Sequence, residues 1–351
     1  MGEWMPEVVW DAHACLPLDE RASLSLLDEH VQGGTHFVSL NVGMDMSSTA
    51  QILRVIASFR AQILAHPDTL SLVRTTDDIR VARQRGCLAV AFDLEGSVML
   101  QDMPEIIEVF SILGVRQIHF AYNRNNSVAG GCHDDEQPLT PLGKHMVAAV
   151  NANHVLMDCS HTGRRSALDI MDVSSRPVIF SHTNPRMLCD HERCIDDDVI
   201  RACARTGGVV GISGFNRFFG LQGDVTEHDM VRHIEHVIDI AGIDHVGIGL
   251  DVMHEQPGQT DFPDGVDRSW WWPEHRGYSP GHTSRVYSPA RFPYLVQELR
   301  ACGYTKEDVS KIMGGNFLRV ASQTWDVGST ITTEAGAGSV KRSGVCVSDD
   351  P

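Results

Sequence analysis

The chain has 351 residues, 42% of them hydrophobic and 21% charged, with a formal net charge of −17 and a pI near 5.4. That balance argues against nucleic acid or an anionic membrane as a partner, and no run approaches the roughly 18 consecutive apolar residues of a membrane span. The opening MGEWMPEVVWDAH lacks a basic segment and a long apolar stretch, so no signal peptide is expected. Nine cysteines without CxxC spacing fit buried thiols in a reducing cytoplasm.

In chain order, eight apolar, β-branched runs predict strands near 8–14, 35–42, 88–95, 115–122, 154–160, 177–182, 208–214 and 245–251. Helical segments lie between them, including TAQILRVIASFRAQILAH, DMPEIIEVFSILG, DDDVIRACARTGG and DMVRHIEHVIDIAG. Gly114, Gly207 and Gly242 stand where helices should end. Alternating strands and helices imply a parallel sheet, and eight of them imply closure into a (β/α)8 TIM-type barrel. A doubly wound open sheet would want a glycine-rich loop after the first strand, and DAHACLPL is not one.

After the eighth strand, residues 255–285 form an aromatic, Gly/Pro-rich loop expected near the active-site mouth, or packed on the rim as a surface excursion. Helices follow near 289–302 and 305–313, and the expected single domain spans 1–326. The small, polar tail 327–351 is expected to be disordered.

Five of the strand runs finish in a titratable residue: His13, Glu95, His161, His182 and Asp251. A polar group ending a buried strand is costly unless it has a partner. Barrel chemistry gathers at the strand C-termini, so the simplest shared partner is a metal. Singly, each has a plainer reading: a satisfied rim histidine, or an acidic helix cap. His13 and Cys15 are two apart and share a strand face, and a cysteine thiolate also ligates zinc. Asp251 ends the last strand, which closes against the first and so lies beside His13.

Taken together, LEGS at 94–97, AYNRNN at 121–126, DCSHTG at 158–163, RPVIFSHTNPR at 176–186 and KIMGGNFLRV at 311–320 resemble the membrane (renal) dipeptidase family of metallopeptidases in the amidohydrolase superfamily. The resemblance runs from about residue 8 to about 325. It implies a metallo-dipeptidase with one or two zinc ions, a binuclear centre being expected. Glu95 would bridge the metals, with His161 and His182 completing one shell and His13 with Cys15 the other. Arg193, otherwise an ordinary surface charge at a helix entry, would bind the substrate carboxylate through its guanidinium fork. Asp251 would shuttle the proton as a metal-bound hydroxide attacks the peptide bond.

Two departures stand out. The family carries aspartate where this chain has Cys15; thiolate could replace carboxylate, occupancy could fall, or one metal could remain. A family histidine that polarises the carbonyl is Tyr122 here, and Tyr122 or Asn123 could supply that hydrogen bond or merely pack. The expected substrates are short peptides, including dipeptides with a C-terminal D-residue. The alternatives are an amidohydrolase acting on N-acyl amino acids, lactones or cyclic amides, and a non-catalytic barrel with a decayed metal site. A homo-oligomer is compatible with the resemblance.

Overall fold

The computed structural model describes residues 4–254, 265–278 and 283–326. The expectation for the tail, and that for 255–264 and 279–282, lie outside the described residues.

Among the described residues there are ten strands: β1 (Trp10–Cys15), β2 (Phe37–Met44), β3 (Leu70–Leu72), β4 (Leu88–Glu95), β5 (Val115–His119), β6 (Leu156–Asp158), β7 (Val178–Thr183), β8 (Val210–Ile212), β9 (Val246–Ile248) and β10 (Val252–Met253). All pairings between them are parallel, in the order β10-β1-β2-β4-β5-β6-β7-β8-β9. β9 and β10 are halves of one run, so the path returns to β1 and the expected barrel is realised. That last run breaks at Asp251, whose φ of 62° is left-handed. Its halves therefore face different neighbours, β9 pairing with β8 and β10 with β1. β3 lies outside the eight expected runs and extends the sheet beside the start of β4 where β5 does not reach.

Alternation along β4 shows how the barrel sorts its residues. Leu88, Val90, Phe92 and Leu94 face outward into the layer packed under the helices. Ala89 and Ala91 face inward with Trp10, Ala12, Phe37, Leu156 and Ile179. Asp93 and Glu95 continue that inward face toward the C-terminal end, where both are buried. Helix entries are fixed by capping boxes at Thr75/Asp78, Thr226/Asp229 and Thr305/Asp308. Gly114, Gly207 and Gly242 all take positive φ, as helix-stop positions should.

The KIMGGNFLRV segment closes the barrel's other end. A Cβ on Gly314 would lie 2.6 Å from the Val8 carbonyl oxygen, so glycine is what lets this turn approach β1. Asn316 donates to the carbonyls of Ile243 and Val246 at 2.7 and 2.8 Å. Phe317 then inserts against Trp10, with Trp325 and Phe37 alongside. No helix among the described residues is long and apolar enough to cross a membrane.

Candidate metal centre and active site

Strand register does most of the assembly. Glu95 at the end of β4 is level with His119 at the end of β5, and His119 is level with Asp158 at the end of β6. His13 comes from β1 and His182 from β7. His161 was expected to end the fifth of the eight runs, but the strand formed there, β6, stops at Asp158. The Asp158 carboxylate accepts from the backbone N–H of Ser160 and Ser181, turning the chain so that His161 enters from a loop with φ of 64°. Asn123 and Asp251 also have left-handed backbones, so three of the six non-glycine residues with positive φ among the described residues sit at this site. Such conformations cluster where surrounding structure enforces a functional geometry.

Glu95 Oε1 is the centre of the cluster. It lies 3.0 Å from His161 Nε2, 3.4 Å from His13 Nε2, 3.5 Å from His182 Nε2 and 3.9 Å from His119 Nδ1. Its other oxygen accepts from the Asn41 side-chain amide at 2.5 Å. Cys15 Sγ is 3.4 Å, and Asp251 Oδ1 3.9 Å, from His13 Nε2. The sequence-expected set of His13, Cys15, Glu95, His161, His182 and Asp251 therefore converges on one spot. His119 was not among the residues singled out. Its run continues through Phe120, Ala121 and Tyr122, which hid the strand end at His119.

The outer contacts hold each imidazole in one orientation. His13 Nδ1 faces Asp93 Oδ1 at 3.3 Å, and Asp93 in turn accepts from Ser39. His161 Nδ1 donates to Asn123 Oδ1 at 2.7 Å, and His182 Nδ1 meets the Ser181 hydroxyl at 2.8 Å. With Nδ1–H spent on Asn123, His161 presents a lone pair at Nε2. That lone pair faces a carboxylate oxygen and, at 3.0 Å, the Nε2 of His182. Glu95 Oε1 is buried and accepts no hydrogen bond within the protein. Electron-rich atoms crowded in this way call for a cation, and imidazole with carboxylate, supplemented by thiolate, is a donor set suited to zinc. The residues present fit the metal.

The electrostatics agree. Burial pushes Glu95 up to about 7 and Asp251 up to about 6, although the Asp251 side chain keeps 17% exposure at the mouth. Burial opposes charge on His13, yet Asp93 and Glu95 raise its proton affinity well above the ordinary imidazole value. Burial, reinforced by Arg193 and by neighbouring imidazoles, drives His161 and His182 well below it. Two ready-made neutral ligands thus stand beside acids that hold protons until something positive arrives.

Arg193 is buried, and its guanidinium donates to the His182 carbonyl at 3.3 Å and lies over the Phe218 ring. A cavity joins Arg193 to His161, with Cys132, Arg164 and Glu192 in its wall. Tyr122 stacks on His161 with ring centroids 4.3 Å apart, and its hydroxyl accepts from Trp272 Nε1 at 3.2 Å. Asn123, besides holding His161, donates to the Trp271 carbonyl. The described part of the aromatic loop therefore does lie at the mouth. Tyr122 is itself placed by Asp45, whose carboxylate accepts from the backbone N–H groups of Ser97, Val98 and Tyr122. A Cβ at position 96 would fall 2.0 Å from Asp45 Oδ1, which accounts for Gly96 with its φ of 126°.

Known proteins resemble this chain in sequence and fold. The description of the membrane dipeptidase family, peptidase family M19, matches residues 22–268. Dipeptidase tcpJ of Claviceps purpurea is 27% identical over 269 residues, which cover 76% of this chain and 58% of that protein. The chain spans about three fifths of the length of the first curated relatives it matches. Among solved structures, an amidohydrolase from Pseudomonas aeruginosa superposes with a TM-score of 0.77 at 27% identity, covering 91% of this chain and 97% of the other. A metallopeptidase from Rhodobacter sphaeroides, liganded with a phosphinate mimic of the dipeptide L-Ala-D-Ala, shares the fold with a TM-score of 0.71 at 18% identity, covering 92% and 100% of the two chains.

Proposed function

The chain belongs to the membrane dipeptidase family of metallopeptidases, and we propose that it is a zinc-dependent dipeptidase whose substrates include L-Xaa-D-Xaa dipeptides. The observation that carries this reading is a cavity lined by buried Arg193 and by His161, one of the imidazoles around Glu95 Oε1. A guanidinium buried there suits a substrate's terminal carboxylate, and its place in the same cavity wall as His161 favours a short substrate.

His13, Glu95, His161 and His182, with Cys15 at the edge, would hold the metal. Bound zinc supplies a Lewis acid for the scissile carbonyl and brings the pKa of a water near neutrality. The protein does the rest. Arg193 anchors the carboxylate and so fixes which peptide bond reaches the cluster. Asp251, beside His13 at the mouth, accepts the proton of the attacking water and returns it to the leaving amine. Tyr122 accepts a hydrogen bond from Trp272, which leaves its own O–H to donate to the carbonyl oxygen as charge develops there. Asn123 keeps His161 in the required tautomer. Trp271 and Trp272 wall the mouth on the Tyr122 side.

The test is release of free amino acids from a panel of L–L and L–D dipeptides by zinc-loaded protein, repeated with Arg193→Ala. Turnover should include the L–D members. KM in the variant should rise about 10- to 100-fold, the worth of a charged hydrogen-bonded contact. Hydrolysis of esters, lactones or cyclic amides that carry no free carboxylate, unaffected by Arg193→Ala, would replace this reading with another amidohydrolase activity.

A further inference from the structure

Resting on the metal-centre reading above, we propose that His119 is a further metal ligand of this site, donating through Nδ1. His119 is fully buried at the end of β5. Its Nε2 lies 2.8 Å from Asp158 Oδ2 as a close ion-pair contact, its Nδ1 lies 3.9 Å from Glu95 Oε1, and neither nitrogen makes a well-aligned hydrogen bond within the protein. A metal-binding imidazole typically has one ring nitrogen held by a carboxylate or another oxygen and the other aimed at the cation. His13 follows that pattern with Asp93, His161 with Asn123 and His182 with Ser181. His119 follows it with Asp158, using the opposite ring nitrogen.

The ligand atoms of His13, Glu95, His119 and His182 all lie within 4.8 Å of one another. Tetrahedral zinc with bonds of about 2.0 Å holds its donors about 3.3 Å apart. The 3.9 Å from Nδ1 to Glu95 Oε1 therefore closes by about half an ångström when both bind one ion. A purely structural His119–Asp158 ion pair accounts for Nε2 but leaves a buried Nδ1–H stranded, because Glu95 Oε1 is beyond hydrogen-bond reach. Ligation satisfies both nitrogens. The position also compensates for Cys15: an added imidazole on the floor of the centre offsets the carboxylate that the first strand lacks.

The experiment measures zinc affinity and the cobalt(II) ligand-field spectrum of the full chain, stripped by chelation and reloaded, with and without His119→Gln. Glutamine keeps a hydrogen-bonding group facing Asp158. The expected result is a loss of zinc affinity larger than the roughly 10- to 100-fold that an outer-shell residue costs, and an altered cobalt spectrum, with thermal unfolding of the stripped protein nearly unchanged. Zinc affinity and a cobalt spectrum identical to the wild type would overturn the proposal. Should the variant fail to fold, cobalt-loaded wild-type protein decides by its hyperfine-shifted exchangeable imidazole N–H resonances. His13, His161, His182 and His119 together give four, whereas only three appear if His119 stays outside the shell. Neither readout requires turnover, so a protein that binds metal through His119 yet cleaves no dipeptide would sink the dipeptidase reading alone.

Discussion

The two ends of the barrel are built from the same strands and obey opposite rules. At the N-terminal end, Trp10, Phe37, Phe317 and Trp325 stack with ring centroids 3.8 to 6.0 Å apart, and glycines at 211, 247 and 314 give them room. At the C-terminal end, four imidazoles surround one carboxylate oxygen, and many of their buried polar atoms lack hydrogen-bond partners. The first end gains stability by burying apolar area and by close packing. The second gives up stability to hold an arrangement that only a cation completes. Folding strength and chemistry are thus segregated along the barrel axis, and substitutions at either end should separate them.

Asp251→Asn should produce the largest effect. Asparagine tolerates the left-handed backbone at this position, so the fold and the metal should be kept while kcat falls about 10²- to 10⁴-fold, the usual worth of a proton-transferring group. Steady-state kinetics with metal analysis on the same sample check this, and full activity would remove Asp251 from the reaction. Trp10→Ala is the reciprocal experiment. It should cost about 3–5 kcal/mol of stability and leave kcat and KM of the folded fraction unchanged. A large loss of kcat at a temperature where the variant remains folded would show that the two ends are coupled.

The smallest effect concerns pH. Glu95 and Asp251 are acids whose folded-state pKa values, about 7 and about 6, lie above their ordinary ones. Their neutral forms are favoured in the metal-free fold. The stability associated with them is fully present below pH 4 and is lost as pH rises through 6 and 7. Metal binding requires the ionised forms, so protons compete with the cation across the same window. The difference in Tm between zinc-loaded and chelated protein should therefore widen steadily from pH 5 to pH 8. Trp10→Ala should show the same widening, because the aromatic plug carries no titrating group. A Tm difference that stays constant across this range would count against both acids taking part in metal binding.

The sequence by itself determined the barrel and most of its centre. Inward positions along one strand alternate with outward ones, so CLAVAFDLE already placed Glu95 on the interior face at the strand's last residue, and HVGIGLD pointed to Asp251, although the folded strand ends at Ile248 and Asp251 sits in the break after it. That information is local and needs no knowledge of neighbouring strands. His119 could not be found this way. Phe120, Ala121 and Tyr122 prolong its apolar run, and only the register of β5 against β4 and β6 puts it level with Glu95 and Asp158. Asn123 was expected to meet substrate or to pack, and its 2.7 Å contact with His161 Nδ1 is visible only in the fold. The KIMGGNFLRV motif marked the family from sequence, but its work as the plug under Trp10 emerges only when the helix Asn316–Trp325 meets β1. Periodicity is written along the chain, whereas register and closure depend on pairings between residues far apart in it, so they were decided only in the folded barrel.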